Sequence, residues 1–252
     1  MTTNGFDTRQ YWEARLNKNL NLRGTGHRAF DLAYNEYLYQ AQVDTLNLLF
    51  ERNHVDANAQ RVLDVGCGTG FFTEYFVRRN ARQVVGLDLT AASVSYLQQR
   101  FPAHLFAQVD VAAPQLPLSE LYDLVLCMSV LYHVVDDELF FRAIRNLSAA
   151  TAPQGYLLLS DIFQRLRLPT GRHARFRGLE DYSAALASQG MQIVDIVPVY
   201  YLLNRTYLPL IGPRLIDALR LGRWMYAADR ALRAHSFPFG AEMKILLARH
   251  TV

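Results

Sequence analysis

An acid, Asp64, stands two residues ahead of three glycines at every second position, Gly66, Gly68 and Gly70. The acid closes an apolar run, Arg61 to Val65, and an amphipathic segment from Phe71 to Arg79 begins at once. Strand, tight loop and helix in that order make a ligand cradle. Glycine tolerates positive φ and lets a bound molecule approach the backbone, and the helix N-terminus behind it offers unpaired N–H groups. A dinucleotide loop spaced G-x-G-x-x-G from Gly66 requires glycine at position 71, where this chain has Phe. The carboxylate of Asp64 would also repel a pyrophosphate there, so the loop suits a cationic ligand better than an anionic one.

Further acids fall where a ligand would need them. The run Gln83 to Asp88 ends in a carboxylate 22 residues after Gly66, about the interval at which an acid meets ribose hydroxyls. Asp88 or Thr90 can equally be the N-cap of a helix over Ala91–Arg100. A third run, His104 to Asp110, also ends in an acid, and a fourth, Tyr122 to Met128, leads into Ser129-Val-Leu-Tyr-His133-Val-Val-Asp136. Asp136 is the predicted cap of a helix reaching about Ala150.

Val62-Leu-Asp-Val-Gly-Cys-Gly-Thr-Gly70 resembles motif I of the class I S-adenosylmethionine-dependent methyltransferases, whose cofactor carries a sulfonium and an ammonium. The resemblance implies that Asp64, Gly66, Cys67 and Gly68 cradle the cofactor S-adenosyl-L-methionine, that Asp88 accepts from both ribose hydroxyls, and that Leu89 lies against adenine. Asp110 would accept from the exocyclic amine of adenine, which a carboxylate distinguishes from a carbonyl, while Val111 offers its N–H to a ring nitrogen. The backbone from Cys127 through Met128 and Ser129 would meet the cofactor's amino group. His133 would stand beside the reaction centre. Near the N-terminus, Tyr11-Trp-Glu-Ala-Arg15 resembles the aromatic and basic residues of the family's lids, so Tyr11 would donate a hydrogen bond and Arg15 or Arg28 would pair with the cofactor's carboxylate.

The elements that must hold these residues follow from the pattern. From about Gln60 strands and helices alternate, which predicts a parallel sheet with right-handed crossovers and ligands at the strands' carboxyl ends. The resemblance implies an α/β, Rossmann-like seven-stranded sheet of order 3-2-1-4-5-7-6 with strand 7 antiparallel and helices on both faces. We expect a single methyltransferase domain, 1–252, with a helical lid (1–55), a cofactor-binding half (56–163) and a substrate half (164–252). The lid should contain helices over 7–18 and 31–52, the second capped by Asp31, and a loop of mobile composition from Asn21 to His27. Thr151–Gly155 reads as a turn before strand 5 (Tyr156–Ser160), and strands 6 and 7 should cover Met191–Val199 and Glu242–Arg249.

The helical insertion at 200–241 is where an acceptor specificity can be added. Its second helix should pack Leu221, Trp224, Met225, Ala228 and Leu232 on the domain with Arg220, Arg223 and Arg230 opposite, or else lie at a lipid interface. Tyr200 and Tyr201 would line the acceptor pocket. Two arginine clusters stand out: Arg165, Arg167, Arg172, Arg175 and Arg177, then Arg214, Arg220, Arg223, Arg230 and Arg233. Lysine occurs only at 18 and 244.

Composition limits the alternatives. The chain has 252 residues, 51% hydrophobic, enough for one packed α/β domain. A net charge of +3 is too small to imply nucleic acid. Neither a signal-like segment nor an apolar run of about 20 residues occurs, so a cytoplasmic location is expected. Cys67 and Cys127 read as reduced and structural, and no carboxylate cluster calls for a metal. The leading expectation is methyl transfer to an oxygen or nitrogen of a small-molecule acceptor: a sugar, a phenol or a lipid-linked glycan, the last with possible peripheral membrane contact. His133 is the first candidate base, because an ordinary imidazole titrates near neutrality, with a neutral pocket-shaping role as the other option and Asp161 next in line. A noncatalytic cofactor-binding module and a nicotinamide oxidoreductase are the competing classes.

Overall fold

The computed structural model describes residues 6–163, 173–204, 212–235 and 243–251. Its centre is a seven-stranded sheet of order β3-β2-β1-β4-β5-β7-β6. The strands are β1 (Arg61–Val65), β2 (Gln83–Asp88), β3 (Leu105–Gln108), β4 (Tyr122–Met128), β5 (Thr151–Asp161), β6 (Met191–Tyr200) and β7 (Met243–His250). β1 to β5 run parallel, and β7 is antiparallel to both β5 and β6. This is the expected order and direction.

Nine helices surround the sheet among the described residues: α1 (Thr8–Lys18), α2 (Leu22–Thr25), α3 (Leu32–Arg52), α4 (Phe71–Val77), α5 (Ala91–Arg100), α6 (Asp137–Ala150), α7 (Leu179–Ala187), α8 (Pro213–Ala218) and α9 (Gly222–Ala234). Both sheet faces are covered, so the central strands carry apolar residues on both faces. Val62, Leu124, Leu126 and Leu158 pack with Leu46, Leu49 and Phe76 of α3 and α4, while Leu63, Val125, Cys127 and Leu159 pack with Phe140, Ile144 and Leu147 of α6. Side-chain caps fix the helix starts: Asp31 accepts from the Tyr34 N–H at 2.8 Å, Thr90 from Ser93 and Asp136 from Leu139.

Three expectations are corrected. The turn at 151–155 belongs to β5, where Thr151 pairs with Tyr122 before a register shift. Gly155 permits this, because a Cβ would sit 2.9 Å from the carbonyl oxygens of Tyr122 and Asp123. The loop at 21–27 contains the short helix α2, pinned by the buried Asn35: its Oδ1 accepts from the His27 N–H, and its Nδ2 donates to the carbonyls of His27 and Asp31. At α9 Met225 is buried and Leu221 packs on the same core, as expected, but the inward face is not the apolar stripe alone. Met225, Asp229 and Arg233 face inward, and Trp224 is 62% exposed.

Asp229 accepts from the N–H groups of Leu202 and Leu203, and Arg233 pairs with Asp44 and donates to the Val199 carbonyl. These buried ionic contacts tie the insertion to β6 and α3. Arg165, Arg167 and Arg172 lie outside the described residues, as do residues 205–211 and 236–242. No helix among the described residues is long and apolar enough to cross a membrane.

Candidate active site

The carboxyl ends of β1, β2, β3 and β4 open onto one cavity of about 510 Å³, closed from the other side by α1, α2 and α3. It falls in the range typical of small-molecule sites. Gly66, Cys67, Gly68, Asp88, Leu89, Asp110, Val111, Met128, Ser129 and His133 all line it.

The glycine loop owes its shape mainly to the protein around it. Gly66, Gly68 and Gly70 have φ of 75°, 52° and 78°, and a Cβ at Gly66 would lie 2.2 Å from a Val130 methyl, one at Gly70 2.3 Å from Leu97. Only glycine reaches that backbone conformation without strain and also leaves room for these neighbours. Gly68 donates its N–H to Asp88 Oδ2 at 2.8 Å, and Thr90 donates its N–H and hydroxyl to Oδ1 at 2.9 and 2.7 Å. Asp88 is 8% exposed and still reaches the cavity. Burial raises its pKa, opposed by the hydrogen bonds from Thr90 and Gly68. The two oxygens are thus fixed in place with acceptor capacity remaining.

Asp64 behaves differently from the sequence expectation. Its carboxylate turns away from the cavity lining into the core, where it accepts from the Thr73 hydroxyl at 2.8 Å. Burial pushes its pKa up to about 6, against the Thr73 hydrogen bond and with the Asp88 charge adding to the rise. It braces the β1–α4 turn rather than presenting a charge to a ligand.

At the next strand, Asp110 Oδ1 accepts from the Ala112 N–H, and Asn146 of α6 donates to the carbonyls of Val111 and Ala113 at 2.9 and 2.8 Å. Ser129, after β4, has φ of 60°, and its N–H donates to Ser160 Oγ at 2.8 Å. A non-glycine residue held in that region at a cavity wall is a strained position that the surrounding bonds maintain.

His133 closes a single 3₁₀ turn, Leu131–His133. Its Nδ1 lies 2.9 Å from the His173 carbonyl oxygen; a carbonyl only accepts, so Nδ1 carries the proton and Nε2 keeps a bare lone pair. Trp12 meets the ring edge-on at 5.0 Å between centroids. Burial lowers the His133 pKa to about 4, so the ring is neutral at ordinary pH. The stretch after it is bolted down by arginine. Buried Arg177 pairs with Asp137, donates to the carbonyls of Val134 and Asp136 and lies over the Phe140 ring, and Arg175 also pairs with Asp137. Part of the first arginine cluster is therefore structural. Asp161, the second base candidate, is not part of the lining; its Oδ2 accepts from the Tyr182 hydroxyl, and burial raises its pKa to about 7.

Tyr11 and Arg15 do not line the cavity either. Arg15 donates to the carbonyls of Arg23 and Gly26 and lies over Trp12, so it holds α2 in place, and Tyr11 packs on Phe6, Trp12 and His173. Arg28 is exposed and also outside the lining. The face of α1 that does line it carries Thr8, Arg9, Trp12 and Leu16, about one residue out of phase with the expected pair. Arg9 is the cation α1 offers.

Glu13 anchors this helix by accepting from the N–H groups of Ala91 and Ala92 at 2.8 and 3.0 Å, at the N-terminus of α5. The sequence reading also missed Thr25, Tyr39, Gln42, Phe71 and Phe72 on the far wall. One signal was available: Gln42 is a long polar residue in a helical stripe with Leu38, Leu46 and Leu49. Phe71, which breaks the dinucleotide spacing, is itself wall.

The donor set fits S-adenosylmethionine: a fixed carboxylate at Asp88 for vicinal hydroxyls, Leu89, Val111 and Leu139 as apolar walls for a base, and an arginine on the lid for a carboxylate. Among the described residues no group of three His, Cys, Asp or Glu could hold a metal ion.

Comparison with known proteins points the same way. A family described as a methyltransferase domain matches residues 34–234. A ubiquinone biosynthesis O-methyltransferase of Neisseria meningitidis serogroup C (strain 053442) is 27% identical over 190 residues, covering 66% of this chain and 78% of its own. Magnesium protoporphyrin IX methyltransferase (ChlM) from Synechocystis PCC 6803, solved with bound SAM, superposes with a TM-score of 0.63 at 18% identity, covering 99% of this chain and 100% of that one. The [4+2]-cyclase SpnF superposes with a TM-score of 0.64 at 24% identity over 97% and 96% of the two chains. The last two share the fold, and a fold alone does not choose a reaction.

Proposed function

The chain belongs to the class I S-adenosylmethionine-dependent methyltransferases, and from that premise we propose that it methylates an oxygen of a small-molecule acceptor. When bound, S-adenosylmethionine supplies a sulfonium-activated methyl group open to in-line displacement. The observation that carries the oxygen assignment is His133: a neutral imidazole on the cavity wall whose Nε2 is left as an acceptor by the Nδ1 bond to His173. That lone pair can orient a hydroxyl and receive its proton. With a pKa near 4 it is a weak base, so its larger contribution is alignment, which is what a displacement of this kind chiefly needs. The O-methyltransferase relative agrees with oxygen as the acceptor atom.

The other residues take supporting roles in this reading. Asp88 accepts from the ribose hydroxyls, Asp110 and Val111 face the adenine edge, and Leu89 packs on its plane. An ammonium takes carbonyl acceptors, so Met128 and Ser129 would contribute backbone oxygens, the Ser129 N–H being already donated to Ser160. Gly66, Cys67 and Gly68 form the floor, and Arg9, Trp12 and Leu16 exclude water from above. We assign 1–55, 56–163 and 164–252 to lid, cofactor half and substrate half of one domain.

Isothermal calorimetry with S-adenosylmethionine, S-adenosylhomocysteine and NADH, followed by a labelled-methyl assay on hydroxylated acceptors, tests the reading. Micromolar binding of the first two and label recovered as a methyl ether are expected. Label recovered only on nitrogen or carbon would reject the oxygen assignment.

A lipid-borne acceptor is a second reading, favoured by the outer surface of the insertion. Leu215, Leu219 and Trp224 are exposed there beside exposed Arg214, Arg220, Arg223 and Arg230, with Arg223 over the Trp224 ring. Apolar groups flanked by arginine suit an anionic lipid surface. Sedimentation with phosphatidylglycerol vesicles checks it: the chain should pellet with them, and Trp224→Ala together with Arg223→Ala should leave it in the supernatant.

A further inference from the structure

Helix α1 lies across the cavity, and its residues divide by face. Thr8, Arg9, Trp12 and Leu16 line the cavity, whereas Glu13 does not. Consecutive residues on a helix point about 100° apart, so Trp12 and Glu13 serve different rims. Trp12 meets the His133 ring after β4, and Glu13 reaches the start of α5 after β2. In the sheet β1, which leads into the glycine loop, lies between those two strands. Of the helices that close the cavity, α3 is packed on the core through Leu38, Leu46 and Leu49, so α1 is the wall that can lift.

The two ends of α1 are held differently. Its C-terminal half is tied within the lid: Leu16 is buried, Arg15 donates to the carbonyls of Arg23 and Gly26, and Asn35 pins the segment that follows. Among the described residues, the hydrogen bonds from α1 to the sheet half all run through Glu13, whose Oε2 and Oε1 accept from the N–H groups of Ala91 and Ala92. These are the first two N–H groups of α5, which have no acceptor inside the helix, and Thr90 serves the third, that of Ser93. A carboxylate placed there gains from the helix dipole as well. The N-terminal half of α1 otherwise meets the sheet half through ring contacts, Trp12 on His133 and Tyr11 on His173. Ring contacts tolerate a change of angle, and a pair of hydrogen bonds to one carboxylate does not.

We propose that Glu13 is the latch of the N-terminal lid: its carboxylate on Ala91 and Ala92 holds α1 across the cavity, and the opening of that contact sets how fast the cofactor enters and leaves. This rests on the methyltransferase reading for the identity of the cofactor. Neither Glu13 nor Ala91 nor Ala92 lines the cavity, so the contact is the same whatever the cavity holds. An interaction equal in the filled and the empty state does not change the balance between them. Its loss lowers the barrier in both directions and leaves the affinity nearly as it was.

Surface plasmon resonance on the full chain, with S-adenosylhomocysteine in solution, reads both rate constants and Kd. In Glu13→Ala, association and dissociation should each speed up about tenfold, the scale of one hydrogen-bonded charge, with Kd kept within about threefold. Glu13→Gln, which keeps one acceptor oxygen, should fall between. The latch can also be broken from α5. Ala91→Pro removes one donor at the first helical position, where proline is favoured, and Thr90 before it is already extended, with ψ of 138°. It should speed both rates, and adding it to Glu13→Ala should change little further. Rates in Glu13→Ala within about twofold of the wild type overturn the latch. Faster dissociation alone, with Kd rising in step, overturns it as well, because Glu13 is then a binding contact. Additive effects of the two substitutions would remove the pairing on which the latch depends. If the wild type binds S-adenosylhomocysteine and the rates do not move, only the latch falls; if the wild type does not bind it, the methyltransferase reading falls and the latch with it.

Discussion

The two ends of the cavity are built by different rules. At the β1–β4 end each contributing residue sits where a strand stops, so the site is written along the chain in order: Gly66 and Gly68, then Asp88, Asp110 and Ser129. At the other end the wall comes from helix faces and from a partner at the opposite edge of the sheet: Trp12 and Leu16 of α1, Tyr39 and Gln42 of α3, and Tyr200 of β6 behind them. A strand end is specified by position alone. A helix face is specified by phase, and an error of one residue, as between Arg15 and Leu16, moves a side chain off the wall. On the proposed reading, cofactor recognition is consequently a matter of spacing, and acceptor recognition a matter of packing.

Asp88→Ala gives the largest effect and tests the cofactor end. It leaves the Gly68 and Thr90 donors unpaired and, in the proposed role of Asp88, removes the acceptor of both ribose hydroxyls; hydrogen bonds to a charged group are worth about 1.5–3 kcal/mol each. The dissociation constant for S-adenosylhomocysteine should rise about 100-fold or more by calorimetry. A change under threefold would show that the strand-end acid is only the brace of its own turn.

His133→Ala acts between the two ends and should be smaller. We expect kcat to fall about tenfold on a hydroxyl acceptor with cofactor affinity little altered, the loss expected of one positioning contact. Because the folded imidazole titrates near 4, the wild-type rate should show no inflection from this group between pH 5 and 8. A limb near 6.5 that disappears in the variant would mean that the ring is solvated and serves as an ordinary base, and that the N-terminal lid does not cover it.

What could be read from the sequence follows the same division. Sheet order, the antiparallel last strand and the capped starts of α3, α5 and α6 all follow from local pattern and resemblance. The readings that failed depend on partners distant in the chain. Asn35 makes 21–27 a helical turn, Gly155 fits against carbonyls of β4 and so extends β5, and Asp229 and Arg233 face inward because Leu202, Leu203, Asp44 and Val199 supply their partners. An apolar-periodicity argument places such residues outside and puts Trp224 in their place. Asp64 was legible as a residue of the motif, but its direction was not, since the Thr73 hydroxyl that holds it lies in the first turn of α4, nine residues on.

Asp161 sharpens the comparison from the side of stability, with the smallest consequence for function. It ends β5 between the two ends, 1% exposed, and its Oδ2 takes the Tyr182 hydroxyl while Oδ1 takes the Ile162 N–H. Burial raises its pKa to about 7, against these two hydrogen bonds and the more distant Arg177. An exposed aspartate ionises near 4. Between about pH 4 and 7 the unfolded chain therefore releases a proton that the folded chain retains, and by linkage this group lowers stability as pH rises through that window, after which the cost is constant. Asparagine reproduces the neutral acid, with one acceptor oxygen for Ile162 and one donor group, and it never ionises. Asp161→Asn should then match the wild type near pH 4 and melt several degrees higher at pH 8, at about 2–4 °C for each kcal/mol relieved in a chain of this length. Asp64, raised to about 6, is present in both proteins and cancels in the difference. Methyl transfer should persist in the variant, since Asp161 does not line the cavity. If thermal unfolding shows instead that the variant loses ground as pH rises, Asp161 is ionised in the fold, and a charge belonging to the acceptor end has to be sought beside Tyr182.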